Sequence, residues 1–506
     1  MLYMMGDGGS IFSARWVLVD AFHSRKDCAI HVQDGKIGEI APLQDLTSRF
    51  PAAEVHIGEN VAILPGFVNA HHHCFGVNLV NQGISDDLLE PWIFATAGAA
   101  AISTKTSTEY AALRLLKNGV TAVVDACTAG ETARLAEMKV REKLEIYTGL
   151  GISCAVAPGE RWQNRIVHQS GQDHAFLTKL PEPLRDKLEH QHLTRARLNP
   201  AEYLDLILRL AEEHAQAETS DVWFGPTAPH WTSPQLLKEI ACAVRERGLR
   251  MQTHVEESLL QHLSAGRPDN KNPVAELADI GLLGEKLSLA HMVWADEYAL
   301  REVADTGAHI VCNPSSNLRL RSGIAPAWKM KRLGINLALG MDGTSLAGDD
   351  DMFAEMRLAR NLYGSADPLG PGLTAPDVFD MATMGGARLM GMDQSIGSLN
   401  DGKRANFIVV SLDRLQGPWL AESVDPVELL VSSAKTSDIQ SVYVGGSLTV
   451  SQGKVCNRNE HDVLENINEE MQRAADQRLS TQDYAIVRSA LLRWYDNWLT
   501  HSAQLR

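Results

Sequence analysis

From residue 63 to residue 342 the chain repeats one pattern, a short apolar run followed by an amphipathic stretch. The apolar runs are Ile63–His71, Val120–Asp125, Ile146–Ser153, Val222–Ala228, Arg250–His254, Ser288–His291, Ile310–Pro314 and Leu337–Asp342. Between them lie helical patterns such as Thr108–Lys117, Ala201–His214, Ser233–Arg247 and Asp296–Asp305. Strands that are apolar throughout suit burial on both faces, as in a parallel sheet covered by helices. Eight such units predict an α/β fold, a (β/α)8 TIM barrel.

The two ends have another texture. Short strand-like runs with turns fill Trp16–Asp20, Ala29–Val32 and Lys36–Ile40, with Asp34-Gly35 as a hairpin turn. The same texture returns at Asn406–Ser411, Ile439–Val444 and Ser447–Ser451, around Gly445-Gly446. The expected organisation is a composite β-sandwich from residues 1–64 and 400–456, a barrel over 65–399, and a C-terminal helical extension over 457–506. The extension carries Leu491, Trp494, Tyr495 and Trp498 at helical spacing, a stripe for packing or for a subunit interface. Residues 155–200 read as a long polar excursion, the kind of loop that serves as a lid or binding loop.

A formal net charge of −16 opposes electrostatic binding to nucleic acid or to an anionic membrane. The seven cysteines form no C-x-x-C pair and suit a reducing compartment. No basic, apolar leader and no long apolar span stands out, so a cytoplasmic protein is expected. The expected partners are a small-molecule substrate and further copies of the chain, as a homodimer or larger homo-oligomer.

The candidate chemistry lies at the ends of the apolar runs. His71 and His73 share a face of the first strand, while His72 points away. His254, His291 and Asp342 close the fifth, sixth and eighth runs. In a barrel all C-terminal strand ends meet at one mouth. Three histidines and an aspartate make a nitrogen and oxygen shell for a divalent ion. The fourth run holds no lysine to bridge two ions, so one ion is expected. Such an ion acidifies water, and Asp342 beside it can take a proton during attack. Glu257, three residues after His254, can carry a proton to the leaving nitrogen. His291 can orient the water or the new oxyanion. Cys74, next to His73, reads as a wall residue.

The motifs LPGFVNAHHH (64–73), THVEES (253–258), LAHMVWADE (289–297), CNPSSNLRLRSGIAP (312–326) and LALGMDGTSLAGDDDMFAEMRLA (337–359) together resemble the amidohydrolase superfamily, in its triazine-hydrolase and cytosine-deaminase-like branch. The resemblance covers about residues 10–456. It implies one zinc or iron ion held by His71, His73, His254 and Asp342, with Glu257 and His291 handling protons. Trp92, His230 and Asn317 are the expected substrate contacts.

Nucleobase deaminases of this branch carry a Trp-led segment ending in Pro-x-Glu, and a histidine after Gly-Pro on strand four. Here Trp92 leads into IFATAGAAAIS, and Gly225-Pro226 is followed by Thr227. The surroundings of Phe94, Ala97–Ala101 and Trp231 read as apolar. These departures favour hydrolysis of an amide, urea or carbamate bond, as in the phenylurea and thiocarbamate hydrolases of the branch. The alternative is a deaminase or dechlorinase of a nitrogen heterocycle (purine, pyrimidine, pterin or triazine). An inactive barrel acting as a binding protein comes last, because every expected ligand residue is present.

Overall fold

The computed structural model describes residues 8–264, 272–343, 345–365, 369–474 and 478–504, without the side chains of 264, 498, 499 and 501–504. The Trp498 ring of the aromatic stripe therefore lies outside the described residues. The chain starts with β1 (Ser10–Leu18), β2 (Ser24–Gln33), β3 (Lys36–Ala41), β4 (Glu54–His56) and β5 (Val61–Pro65). The barrel follows with β6 (Phe67–His72), β7 (Val120–Thr128), β8 (Ser153–Gly159), β9 (Ser220–Val222), β10 (Met251–Val255), β11 (Leu287–His291), β12 (His309–Cys312) and β13 (Leu337–Leu339). Four strands close the series, β14 (Phe407–Ser411), β15 (Ile439–Val444), β16 (Ser447–Ser451) and β17 (Lys454–Val455). No helix among the described residues is long and apolar enough to cross a membrane.

β6 to β9 pair in sequence order, as do β10 to β13, and the paired neighbours run parallel. Isolated parallel bridges at His72–Asp342 and Phe224–Met251 join the two halves into one eight-stranded barrel. Val68, Ala70, Ala122, Val124, Ala155, Ala157, Trp223, Val311 and Ala338 cluster together and fill a core between the strands.

Three of the expected strands are redrawn. Ile63–His71 is two strands, because the chain passes at Gly66 from the sheet of the ends into the barrel. A side chain at Gly66 would stand 2.3 Å from Thr121 Oγ1. Ile146 to Gly149 belong to the helix Ala133–Gly149, which buries Ile146 and Tyr147 on its inner face. Gly151 then turns with φ +83, and β8 runs on to Gly159. In the fourth run, regular pairing stops at Val222. The chain goes on irregularly along β10, where the Gln252 and His254 N–H groups donate to the Phe224 and Thr227 carbonyls.

The strands of the two ends form one nine-stranded sheet in the order β17-β16-β15-β14-β5-β1-β2-β3, with β4 beside β1. The sheet folds over on itself. Neighbouring strands stand about 4.8 Å apart, so a flat sheet would put β1 and β15 about 14 Å apart. Instead the Phe12 ring lies 4.8 Å from the Tyr443 ring and 5.0 Å from the Phe407 ring. The Ala405 N–H donates to the Gly35 carbonyl, and the Gly446 N–H to the Ala405 carbonyl, so opposite turns meet.

Residues 160–199 are not a structureless loop. They hold the short helices Asp173–Leu177 and Glu182–Leu188 and a π-helical turn over Glu189–Thr194. A chain segment this polar stays ordered because a second element covers it. The C-terminal helix Thr481–Gln504 packs Val487, Ala490, Leu491 and Tyr495 against Ile166, Val167, Phe176, Leu184 and Leu188.

Candidate functional site

The C-terminal ends of β6, β10, β11 and β13 bring His71, His73, His254, His291, Glu257 and Asp342 to one place. Ligand atoms in the groups His71–His254–His291, His71–His73–Asp342 and Glu257–His291–Asp342 lie within 4.8 Å of one another. His73 Nε2 stands 3.1 Å from Asp342 Oδ1 and 3.3 Å from His254 Nε2. His291 Nε2 is 3.8 Å from both Glu257 Oε1 and Asp342 Oδ2.

The other ring nitrogen of each histidine is already engaged. His71 Nδ1 meets Gln252 Oε1 at 2.7 Å, and His73 Nδ1 meets the Ala126 carbonyl at 2.7 Å. His254 Nδ1 meets the Thr227 carbonyl at 2.7 Å, and His291 Nδ1 meets Asn317 Oδ1 at 2.9 Å. Each partner is an oxygen acceptor, so each Nδ1 carries a proton, and each neutral ring presents a lone pair at Nε2; at His73 burial lowers the pKa but Asp342 beside it makes the net shift upward. Burial, with His73 beside it, pushes the His71 pKa down to about 3, and Asp342 opposes only in part. Burial and the neighbouring rings likewise hold His254 well below its ordinary value. Neutral imidazoles with anchored Nδ1 atoms are the form that binds metal. The buried Nε2 atoms of His71 and His291 have no hydrogen-bond partner among the described residues. Two lone pairs facing each other at 3.3 Å, with orphaned nitrogens beside them, fit a cation between the rings.

Asp342 accepts from Ser316 Oγ at 2.6 Å and from the Gly343 N–H at 2.7 Å. Burial works against its ionisation, but His73, His71 and His291 hold its pKa well below the ordinary range. Glu257 goes the other way. Burial, then the charges of Asp342 and Glu90, raise its carboxyl well above the usual range. Two carboxyls at one site are thus pushed apart, one to accept a proton and one to hold it.

The backbone here is held in an uncommon conformation. Cys74, Glu256, His291 and Asp342 have φ of 48, 55, 79 and 54, in the left-handed region that non-glycine residues rarely adopt. All four lie at or just beyond barrel strand ends, and such strain gathers at functional sites. His72 turns away from the cluster, and its Nδ1 accepts the Cys74 N–H at 2.7 Å. Behind it, Asp125 pairs with Lys143 at 2.6 Å, and Tyr147 donates to Asp125 at 2.7 Å. Cys74 joins this buried network with its Sγ 2.8 Å from the Tyr147 hydroxyl oxygen, to which its thiol can donate.

The expected substrate contacts fare differently. Trp92 is buried among Leu79, Ile84, Leu89 and Leu320, with an indole N–H that lacks a partner among the described residues. Asn317 orients the His291 ring. His230 is buried, its ring 4.5 Å from that of Trp231 and 5.0 Å from that of His168.

The surroundings of Phe94 are apolar, as read from the sequence, whereas Trp231 lies against His168, His230 and Arg161. Phe94 packs into the cluster under the C-terminal helix. Near Glu257 the chain instead buries polar groups that the sequence reading missed. Glu90, from the helix Leu89–Thr96, meets His168 Nε2 at 3.1 Å and accepts from Ser258 Oγ. The Arg161 guanidinium lies 4.1 Å over the Trp231 ring. No local motif marks these residues. Glu90 and His168 are 78 positions apart and meet only through the fold.

Comparison with known proteins agrees with this architecture. Residues 62–449 match the model of the amidohydrolase family. A 5-methylthioadenosine/S-adenosylhomocysteine deaminase of Syntrophobacter fumaroxidans is 29% identical over 445 residues, 87% of this chain and 92% of that protein. A 5'-deoxyadenosine deaminase of Methanopyrus kandleri is 27% identical over 423 residues, 82% of this chain and 87% of that protein. Among solved structures, a zinc-bound adenosine deaminase of Xanthomonas campestris superposes with a TM-score of 0.75 at 22% identity, covering 92% of this chain and 98% of the other. The zinc complex of atrazine chlorohydrolase from Arthrobacter aurescens gives 0.74 at 20% identity, over 91% and 99% of the two chains. The chain belongs to the amidohydrolase family and is an enzyme acting on carbon–nitrogen bonds other than peptide bonds.

Proposed function

We propose that this amidohydrolase removes the exocyclic amino group of an adenosine-like nucleoside as ammonia, using one divalent ion, zinc in the first instance. The carrying observation is the set of four anchored imidazoles whose Nε2 atoms converge on Asp342 and Glu257. His71, His73, His254 and Asp342 would hold the ion. When bound, it supplies acidification of water at neutral pH.

The chain's own groups do the rest. Asp342, kept ionised, accepts a proton as water oxygen bonds to the ring carbon that carries the amino group. His291 Nε2 orients that water. The C=N electron pair moves to the adjacent ring nitrogen as water adds. Glu257, kept protonated, delivers its proton to the amino nitrogen, and the C–N bond breaks to release ammonia as the C=N bond re-forms. The hydroxyl proton shifts to the ring nitrogen to give the carbonyl, and the proton on Asp342 returns to Glu257. Burial of all these groups excludes bulk water and strengthens each electrostatic contact.

Nucleosides are preferred over ureas for two reasons. The relatives are named for adenosine-derived substrates. The wall near Glu257 is also polar, which suits a substrate rich in hydrogen-bonding groups and not an N-aryl urea. The test measures ammonia from 5'-deoxyadenosine, 5'-methylthioadenosine, S-adenosylhomocysteine, adenosine and guanine, and amine from a phenylurea. Ammonia that disappears on chelation and returns with zinc supports the reading. Amine from the urea with no ammonia from any nucleoside sinks it.

A further inference from the structure

We infer that Glu355, on the helix Met352–Leu362, is a positioning residue for the proton-handling groups Asp342 and His291. It acts through Ser315 and the short helix Pro314–Arg319. The inference rests on the roles proposed above for Asp342 and His291, and it holds for any substrate that those two groups serve.

Three consecutive residues of the short helix hold three different groups. Ser315 donates to Glu355, from its backbone N–H at 3.0 Å and from its hydroxyl. Ser316 Oγ donates to Asp342 Oδ2 at 2.6 Å. Asn317 Oδ1 accepts from His291 Nδ1 at 2.9 Å. The base and the water-orienting ring are thus both held by the two residues that follow the one Glu355 holds. All three lie within one helical turn, so a shift of Ser315 is passed on to Ser316 and Asn317. Both held groups also sit on left-handed backbone, with φ of 79 at His291 and 54 at Asp342. Such conformations persist only where their surroundings over-determine them.

The short helix needs such an anchor. It has six residues, and Asn313 at its N-cap makes no side-chain cap hydrogen bond. The first N–H groups of a helix have no partner inside it, and a helix this short is marginal alone. Glu355 supplies the missing acceptor from a second helix. The carboxyl is only 1% exposed, and among the described residues no cation pairs with it. Burial raises its pKa to about 7; the two Ser315 donors oppose the rise, and Asp349 and Asp350 add to it. A buried carboxyl costs stability that an apolar side chain would not. What it provides in return is a fixed place for Ser315. Glu355 touches neither substrate nor reacting atoms.

The test uses the zinc-loaded full chain, labelled with ¹⁵N at histidine, and has two readouts. One is water exchange of the His291 Nδ1–H signal, recognised by its loss in His291→Phe. The other is ammonia release from 5'-deoxyadenosine. Glu355→Leu removes both acceptors at similar volume, and the ring proton should then exchange at least ~10-fold faster. In the same variant kcat should fall ~10–10²-fold with KM within about threefold and zinc content full, the expected result of misplacing a positioned group. Glu355→Gln keeps a carbonyl for the Ser315 N–H and an amide N–H for its hydroxyl oxygen, so it should bring both readouts back to within about threefold of wild type. Ser315→Ala removes one of the two bonds and should fall between. A Glu355→Leu chain that melts lower but keeps both readouts overturns the inference, and so does a Glu355→Gln chain that falls as far as Glu355→Leu. Where Glu355→Leu does not fold, Ser315→Ala decides, and an unchanged ring signal in it overturns the inference. A ring signal that follows Glu355 in a chain releasing no ammonia from any nucleoside would refute the deaminase reading alone.

Discussion

The barrel mouth and the roof above it were written into the chain in different ways. The mouth is built from strand ends, where a two-residue alternation decides which side chain faces inward. The roof is built from the helix Leu89–Thr96, the segment 160–199 and the C-terminal helix, none of which repeats a pattern. The mouth carries the bond chemistry common to many substrates. The roof contributes the buried Glu90, His168 and Tyr495. A sequence can therefore announce what kind of bond is attacked long before it announces whose bond it is.

The largest expected effect breaks the mouth alone. His71→Ala or Asp342→Asn should abolish zinc binding and ammonia release together, while the melting of the roof helices, followed by hydrogen exchange, stays close to wild type. Full activity in either variant would dismantle the proposed mechanism. Glu257→Gln should keep its zinc and lose roughly 10²–10⁴-fold in kcat, the usual contribution of a general acid. A loss under tenfold would remove Glu257 from proton transfer.

Smaller effects sharpen the contrast. Gln252→Leu takes away the acceptor that fixes the His71 ring, and should weaken zinc affinity by about 10–100-fold in a competition titration. Unchanged affinity would mean that the ring is held by packing alone. At the roof, Asp87 accepts from Arg488 at 2.6 Å and from Tyr484 at 2.8 Å, tying the C-terminal helix to the chain just before Leu89–Thr96. Asp87→Asn should cost about 1 kcal/mol of stability at neutral pH, since the pair is partly exposed. Burial raises the Asp87 pKa, but Arg488, the Leu88 N–H and Tyr484 lower it further, and the net shift is downward. Its stabilisation is thus complete above about pH 4 and is lost as pH falls through the depressed folded value. The gap in melting temperature between wild type and Asp87→Asn should shrink on acidification; a gap that widens would contradict the ion pair.

The residues show why the sequence told one half so well. His254, His291 and Asp342 each end an apolar run, so the fold follows from the runs and the cluster from their ends. The third strand slipped because Ile146–Ser153 is equally apolar as the inner face of a helix end and as a strand, and periodicity over eight residues does not separate the two. The first strand was joined to its predecessor because Gly66 is a turn only where Thr121 packs against it. The sheet of the ends was legible from its hairpin turns, and its curvature was not, because it depends on Phe12 meeting Tyr443 across the fold. Glu90 looked like one more polar residue in an irregular stretch. Its partners His168, Ser258 and, through His168, Tyr495 come from three separate regions of the chain. They add buried polar groups near Glu257 that no apolar run announces.

The position of Tyr495 in the chain also sets a schedule. Ribosomes deliver residues in order, at about 5–20 per second. The strand β5 waits for β14, more than 340 residues later, before it is paired on both sides. The barrel strands are all made by residue 339, yet the His168 backbone lacks its Tyr495 partner until the helix Thr481–Gln504 has been made. A nascent chain can thus assemble the strand ends that carry His71, His254 and His291 before the segment 160–199 has its cover.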